Sequence, residues 1–590
     1  MAEGGLGAET WDLVVAGTGL GEAAAAAAAA RGGARVLHVD PGPRYGGAAG
    51  ALALGEFLAE LGGGGSGDCG GGQGEGKVVP LVGTSGEVAL GYSASERWGS
   101  VEVLRRPGAG SVAGLGESRD FSLDLTGPRV VLAAGELVDL LVRAGCHQYL
   151  EFQPVVASVV WGAGADGAPL RVPGSQAEVF RERSLPPSDK RLLMRFLKGE
   201  MASAPLGEED ATPSFEAYLA DQGLPQHLRS AILYALALAD THQGSARAEG
   251  LPRPLSRQEG RSRVMTYLRS VGRFGAGQGA FLAPLWGSGE LPQAFCRSCA
   301  VQGGVYHLNC APEAAIIRAQ QPALGEGGGE HAAPPNVTAV RLSTGDTVRC
   351  RALLLSPDIG ARGGSFTAGP QGSISRAVCI TDGLLQDFPA NTVITFPPGV
   401  VGNNSVVHCL QSGAGTKIVP AGRGAFAFCT RASPGASARD DLGAAVGALL
   451  DAEGIILEGQ EETQNGDGAA PETAPAGGER PRILMAVYYQ QALGRKELGP
   501  ELAAATNCAQ SAAPDGSLTL SGAAADALKT FGKLFPGQDF FPEESGGDPE
   551  LEEDREVADL LSEALKKASV VGGAKEEGKG KRPAATPPSQ

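Results

Sequence analysis

The amino-acid sequence predicts an α/β fold, in which a dinucleotide-binding-like domain built from several chain segments carries an inserted all-helical domain. Three observations predict it. Residues 10–61 have the strand, glycine turn, alanine-rich helix and second strand of a βαβ unit. Residues 184–275 have apolar positions at helical spacing. After Phe281, β-like runs such as TVRCRALLLS and RILMAVYYQQ dominate.

The βαβ unit has most of the nucleotide-binding pattern. A predicted strand, Leu13–Ala16, leads into a turn with Gly17 and Gly19, and a helix over Glu22–Arg31 follows. The second strand ends at Asp40, about 20 residues on, where an acid accepts ribose hydroxyls in nucleotide-binding domains. This order predicts the fold; a lone Gly-x-Gly turn would not.

The third glycine of the pattern is replaced by Glu22. A carboxylate there adds negative charge where a pyrophosphate would bind, although it suits the positive end of the helix dipole. Two interpretations remain: a flavoprotein, or a related scaffold whose phosphate-binding position is filled by the protein itself. We expect the second, and therefore no flavin or other cofactor.

The rest of the chain divides by composition. Domain I is expected at 10–61, 118–183 and 276–545, a Gly-rich flexible insertion at 62–117, the helical domain II at 184–275, and a charged helix with a disordered tail at 546–590.

The bulk composition excludes several classes of protein. The net charge of −17 argues against a nucleic-acid-binding surface. No run approaches the ~18 apolar residues of a membrane span, and MAEGGLGAET lacks the features of a secretory signal. We expect the ten cysteines to be reduced thiols.

The sequence contains no convincing catalytic centre or metal site. Cys296 and Cys299 form a lone CxxC on an apolar helix, without the further pair that zinc needs, so we interpret them as small core residues. The seven histidines form no recognisable ligand pair. Glu290 and Arg297 lie seven residues apart on one face of a predicted helix. They could be a helix cap with a solvated arginine, or part of a binding surface.

A series of motifs resembles the family of Rab escort proteins and Rab GDP-dissociation inhibitors. They are GTGLGE, VLHVDPGPRYGG, RDFSLDL, KRLLMRFL, GRFG, PLWGSGELPQAFCRSCAVQGGVYHL, SRAVCITD, RILMAVYYQQ and LFPGQDFFPEE. The resemblance implies a GDI-type fold. FCRSCAV, the Gly-rich insertion and the segment around LFPGQDFF are more similar to escort proteins than to inhibitors.

The resemblance implies a non-catalytic, cytoplasmic accessory protein that associates transiently with membranes. Such a protein binds GDP-bound Rab GTPases, presents them to the Rab geranylgeranyltransferase heterodimer, and delivers the geranylgeranylated product. A Rab GDP-dissociation inhibitor is the alternative within the family, and a flavin-dependent oxidoreductase is the more remote one.

The resemblance also implies roles for particular residues. The Rab-binding positions match Tyr45, Glu290, Arg297, Val305 and His307, of which Val305 and His307 depart from the Thr and Met of the inhibitors. The helical domain should dock on the transferase and shelter the lipid. Its lining candidates, which could equally be ordinary core residues, are Leu192, Leu193, Phe196, Leu228, Ile232 and Leu236.

Overall fold

The computed structural model describes residues 9–62, 85–107, 115–164, 167–173, 176–202, 214–244, 252–275, 277–320, 333–458 and 480–541. The expected helix and tail at 546–590 lie outside these residues. No helix among the described residues is both long and apolar enough to cross a membrane.

The described strands are, in chain order, β1 (Thr10–Ala16), β2 (Val36–Asp40), β3 (Ala51–Leu52), β4 (Ser85–Tyr92), β5 (Trp98–Arg105), β6 (Leu123–Asp124), β7 (Val131–Leu132), β8 (Phe152–Val155), β9 (Ala157–Val160), β10 (Leu170–Arg171), β11 (Phe281–Pro284), β12 (Val305–Leu308), β13 (Pro312–Gln320), β14 (Ala333–Leu342), β15 (Thr347–Leu355), β16 (Ile359–Ala361), β17 (Phe366–Thr381), β18 (Thr392–Phe396), β19 (Val407–Ser412), β20 (Gly424–Arg431), β21 (Ile456–Leu457), β22 (Ile483–Lys496) and β23 (Cys508–Gln510). The α-helices are α1 (Leu20–Arg31), α2 (Leu54–Leu61), α3 (Glu136–Arg143), α4 (Gln176–Arg181), α5 (Pro187–Ala202), α6 (Phe215–Asp221), α7 (Gln226–Ala231), α8 (Arg257–Ser270), α9 (Glu290–Val301), α10 (Ala438–Leu449), α11 (Pro500–Ala504) and α12 (Ser521–Leu534).

Two large sheets organise the predicted domain I. The first has the order β12-β2-β1-β15-β14-β13-β4-β16, with β23 paired to β15. The second has the order β10-β9-β18-β19-β20-β17-β22-β5-β21. In the first sheet β12, β2, β1 and β15 run parallel, so their carboxyl ends meet at one edge. That edge is where ligands bind in doubly wound folds.

The βαβ start forms as predicted. β1 is buried between β2 and β15, and the turn after it begins α1 at Leu20. Eight consecutive alanines give α1 the best helix-forming residue and a slim cylinder. The helix is therefore buried against the sheet, between α9 and α12.

The expected flexible insertion at 62–117 needs correction. Residues 63–84 and 108–114 lie outside the described residues, but β4 and β5 between them belong to the two large sheets. β4 pairs with β13 and β16, and β5 pairs with β22 and β21. The prediction is wrong there because the strand partners lie far away in sequence, so local Gly and Ser content dominated the interpretation.

The second sheet carries its own helix. α10 begins at a capping box in which Ser437 and Asp440 bond each other's backbone N–H, and it packs on β17, β20 and β22. Phe396, Phe426 and Phe428 fill the core beneath it.

The predicted helical domain contains α5 to α8. α4, which packs on α5, lies before the expected boundary at 184. A π-helical turn, Ile232–Leu236, extends α7, and Leu238 after it has a φ of 49°. Buried Glu200 of α5 accepts hydrogen bonds from Tyr218 of α6 and Arg261 of α8, which ties three helices together.

Candidate functional site

A cavity of about 240 Å³ lies at the carboxyl ends of β1 and β2. All four predicted motif residues, Gly17, Gly19, Glu22 and Asp40, line it. Further walls come from chain segments distant in sequence: the 46–49 loop, Tyr92 with Arg97, Arg129, the 356–358 loop and residues 512–526. The sequence pattern therefore located the site, but it identified only the wall formed by the βαβ unit.

Both turn glycines are required by close contacts. Gly17 has a φ of 106°, which disfavours other residues, and a Cβ on it would lie 2.4 Å from the Cβ of Ser356. A Cβ on Gly19 would lie 2.5 Å from Oε2 of Glu22. The carboxyl of Glu22 therefore lies directly over the turn.

Glu22 occupies the place where a phosphate would bind. Its carboxyl, 3% exposed, accepts a hydrogen bond from the hydroxyl of Ser511 and one from its own backbone N–H at the start of α1. Burial raises its pKa to about 7. A pyrophosphate placed on this helix N-terminus would meet the carboxyl, so the turn does not fit a dinucleotide in the usual position.

Asp40 retains the position of a ribose-binding acid. Its oxygens accept hydrogen bonds from the hydroxyl of Thr18 and the backbone N–H of Gly42, each at 2.7 Å. Burial raises its pKa to about 6, although these two hydrogen bonds oppose the rise. Carboxylate oxygens have room for further donors, so Asp40 can still accept from a ligand.

Of the five predicted Rab-binding residues, Val305 and His307 lie in β12, Tyr45 contacts that strand, and Glu290 and Arg297 lie on α9. Tyr45 follows β2, and its ring contacts that of Tyr306 on β12, with centroids 5.6 Å apart. Glu290 is the first residue of α9, half-buried, and burial raises its pKa. The exposed Arg297, two turns later, lies 4.5 Å from the centroid of the Tyr149 ring.

Val305 and His307 lie on the opposite face of β12 from Tyr306, because side chains alternate along a strand. Val305 is 39% exposed. The strand thus divides the predicted set, with Tyr45 on the α9 side of the sheet and the two strand residues on the other. Glu290 and Arg297 belong to α9, the helix that precedes β12 in the chain.

Two exposed apolar residues at the ends of α9, Trp286 and Val301, were not singled out from the sequence. Trp286 precedes α9 in the turn that leads to Glu290, and Val301 ends the same helix; both remain large and solvent-exposed. Trp286 stands inside the PLWGSGELP motif, so an exposed aromatic next to the predicted Glu290 was the available signal.

The six lipid-lining candidates belong to the core of the helical domain. Leu193, Phe196, Leu228, Ile232 and Leu236 are buried in one cluster with Phe215 and Val264, and Leu192 packs on it partly buried. The cavity at the carboxyl ends of β1 and β2 includes none of the six. In this conformation they serve as core, and a lipid would have to separate the helices to reach them.

Cys296 and Cys299 are buried in the core that α9 shares with α1. Burial raises the pKa of Cys299 to about 11, so this thiol stays protonated. The described residues contain no cluster of three or more potential metal-binding His, Cys, Asp or Glu side chains.

Comparisons with known proteins find several similar proteins. The GDP dissociation inhibitor family matches residues 104–334. Rab escort protein 1 of Arabidopsis thaliana is 28% identical over 91% of this chain and 94% of its own length. The Rab proteins geranylgeranyltransferase component A of Drosophila melanogaster is 33% identical over 51% of this chain and 53% of its own.

A solved structure shows the same fold. The Rab GDI of Plasmodium falciparum superposes with a TM-score of 0.58, covering 89% of this chain and 98% of that one at 16% identity. The sequence prediction of an α/β, GDI-type fold is thereby confirmed.

Proposed function

We propose that this chain, a member of the family of Rab escort proteins and Rab GDP-dissociation inhibitors, acts as a Rab escort protein, the non-catalytic component A of a Rab geranylgeranyltransferase. It binds GDP-bound Rab GTPases, presents them for geranylgeranylation, and accompanies the product to membranes. The observation that carries the proposal is similarity to an escort protein along nearly the whole of both chains.

The residues on and around α9 have the chemistry of a protein interface. They combine aromatic Tyr45 and Trp286, the half-buried Glu290, and Arg297 held over a tyrosine ring. Tyr, Trp and Arg are the residue types that contribute most to binding energy at interfaces. We therefore infer that this surface binds the GTPase.

The first experiment is reconstituted prenylation. Unmodified Rab, geranylgeranyl diphosphate and the transferase heterodimer are combined with or without this chain, and lipid transfer to Rab is measured. The proposal expects transfer to depend on the chain. Transfer that is equal in its absence contradicts it.

Two substitutions test the surface, each with a matched control. Glu290→Ala and Arg297→Ala should each weaken binding to GDP-loaded Rab at least tenfold, about 1.4 kcal/mol, measured by titration. Glu136→Ala removes another glutamate from the first position of a helix, α3. Arg257→Ala removes another arginine stacked on a tyrosine, 4.4 Å from the Tyr218 ring. Both controls should bind normally, and unchanged affinity in the two test variants would remove α9 from the interface.

A Rab GDP-dissociation inhibitor is the second candidate, favoured by the family match over residues 104–334. An inhibitor would extract prenylated Rab from membranes without stimulating its prenylation. Extraction without stimulation would therefore favour this candidate.

We propose that the helical core shelters the geranylgeranyl chain. Leu228→Gln and Ile232→Gln should weaken binding of prenylated Rab more than unprenylated Rab, because exposure of a prenyl chain costs about 0.8 kcal/mol per CH₂. Equal weakening for both forms would mean that these residues serve only the core.

We also propose that the chain functions without flavin, since Glu22 lies over the turn that would bind the pyrophosphate. Purified protein should release no flavin on denaturation. Stoichiometric flavin absorbance would instead favour the oxidoreductase alternative.

A further inference from the structure

The cavity beside β1 and β2 contains polar groups that lie outside the proposed Rab-binding residues. Arg97 lines it, is 2% exposed, and has two N–H groups, on Nε and Nη1, with no hydrogen-bond partner among the described residues. Its Nη2 forms an ion pair with Asp358. Buried donors without a partner are rare in folded proteins, so a ligand with acceptor atoms is the natural complement here.

The charge of the lining selects against anions. Five carboxyl groups but only two guanidinium groups line the cavity. Arg129 is already engaged by Asp515 and by backbone carbonyls, and Arg97 by Asp358. Both arginines of the lining are thus paired with other groups, and neither pairs with the carboxyls of Glu22, Asp40 or Asp526. Of these three, Glu22 lies over the turn. A phosphate would meet carboxyl groups here, whereas dinucleotide-binding domains present backbone N–H groups at this position.

The remaining features of the cavity suit a neutral ribose that carries a heterocyclic base. Asp40 is at the position that accepts ribose hydroxyls, and Arg97, in the cavity wall, has two N–H groups that could donate to ring nitrogens or carbonyls. Tyr92, 45% exposed, lines the same cavity and offers an aromatic face. At about 240 Å³ the cavity is smaller than the ~300–1,000 Å³ of typical ligand sites, which favours a small ligand over a whole dinucleotide.

We propose that this cavity binds a neutral ribonucleoside, with Asp40 accepting its ribose hydroxyls, and that Glu22 excludes the phosphorylated forms. The site goes beyond the proposed function. Binding can be measured without any GTPase or transferase, so its failure would leave the escort function untouched.

The test is calorimetric titration of the full chain with adenosine, guanosine, cytidine and uridine, and with their 5′-monophosphates. We expect saturable 1:1 binding of at least one nucleoside and at least tenfold weaker binding of its monophosphate. Absence of saturable binding for all four nucleosides overturns the proposal, as does equal affinity for nucleoside and monophosphate.

Substitutions assign the roles. Asp40→Asn should weaken nucleoside binding at least tenfold. Glu22→Gly, which supplies the missing third glycine, should reduce the preference for nucleoside over monophosphate at least tenfold. Asp382→Asn, which alters a carboxylate paired with Arg482 outside the cavity lining, is the matched control and should bind like the unmodified chain.

Asp40 and Glu22 are buried, so their variants could lose binding through misfolding. Tyr92→Leu provides a test without this problem, because Tyr92 is 45% exposed. It should weaken nucleoside binding severalfold while circular dichroism stays unchanged. Unaltered affinity in Tyr92→Leu, or in a folded Asp40→Asn, overturns the assignment of this cavity.

Discussion

Replacement of Glu22 by glutamine should remove a pH-dependent loss of stability. Burial raises the pKa of Glu22 from 4.5 to about 7, so the folded state binds this proton more tightly than the unfolded state. Between those pH values the folded chain holds more protons, and the free energy of unfolding from this group falls as pH rises. Its stabilising contribution is complete below pH 4.5 and lost above about pH 7.

The magnitude follows from the same two pKa values. At about 1.4 kcal/mol per pKa unit, the rise corresponds to about 3 kcal/mol. Glutamine cannot titrate and keeps an oxygen for the hydroxyl of Ser511. The Glu22→Gln variant should therefore match the unmodified chain near pH 4.5 and exceed its free energy of unfolding by about 3 kcal/mol at pH 8.

The assay is urea denaturation at pH 5, 6, 7 and 8, followed by tryptophan fluorescence. Glu259→Gln is the control, because the ion pair with Arg253 lowers the pKa of Glu259 to about 2. Its stabilising contribution is lost only as pH falls from about 4.5 towards 2, so its difference from the unmodified chain should stay constant from pH 5 to 8. A Glu22→Gln difference that varies by less than about 0.5 kcal/mol across this range would refute the reasoning.

Three further predictions concern stability, each measured by urea denaturation. Gly260→Ala in α8 should cost about 1–3 kcal/mol, because its Cβ would lie 2.1 Å from Cγ of Phe215, whereas Gly443→Ala in α10, with no atom within 4 Å, should stabilise by about 1 kcal/mol; a loss in both would point to the helices rather than to the contact. Glu200→Gln should cost about 3–5 kcal/mol, since it leaves the buried Arg261 without its anion, and a neutral result would mean that the pair is dispensable. Ser437→Ala should cost about 1 kcal/mol through loss of the cap of α10, and no change would assign that cap to Asp440 alone.

Local patterns are sufficient to predict the start of the fold. The spacing from Gly17 to Asp40 predicts β1, α1 and β2, because a tight turn, a helix N-terminus and an acid are fixed by neighbours in sequence. The same spacing puts Glu22 at the third-glycine position, and its carboxyl does lie over the turn.

Distant pairings cannot be predicted in the same way. From its Gly- and Ser-rich composition, the segment containing β4 and β5 is predicted to be a flexible insertion. The prediction fails because the partners of these strands, β13 and β22, lie far away in sequence. The orphaned N–H groups of Arg97 depend likewise on its burial beside Asp358, which no spacing encodes. Residue type and period predict local elements, whereas burial follows from tertiary packing.

The pairing of β1 with β15 sets an order of events during synthesis. Thr10 pairs with Arg349, so β1 leaves the ribosome long before β15, its second neighbour in the sheet. At about 5–20 residues per second, the roughly 340 intervening residues take about 20–70 s. Within that interval β1 can pair with β2, but its other edge, which later receives β15, stays open. Newly made chains should therefore need protection from aggregation until the later strands emerge.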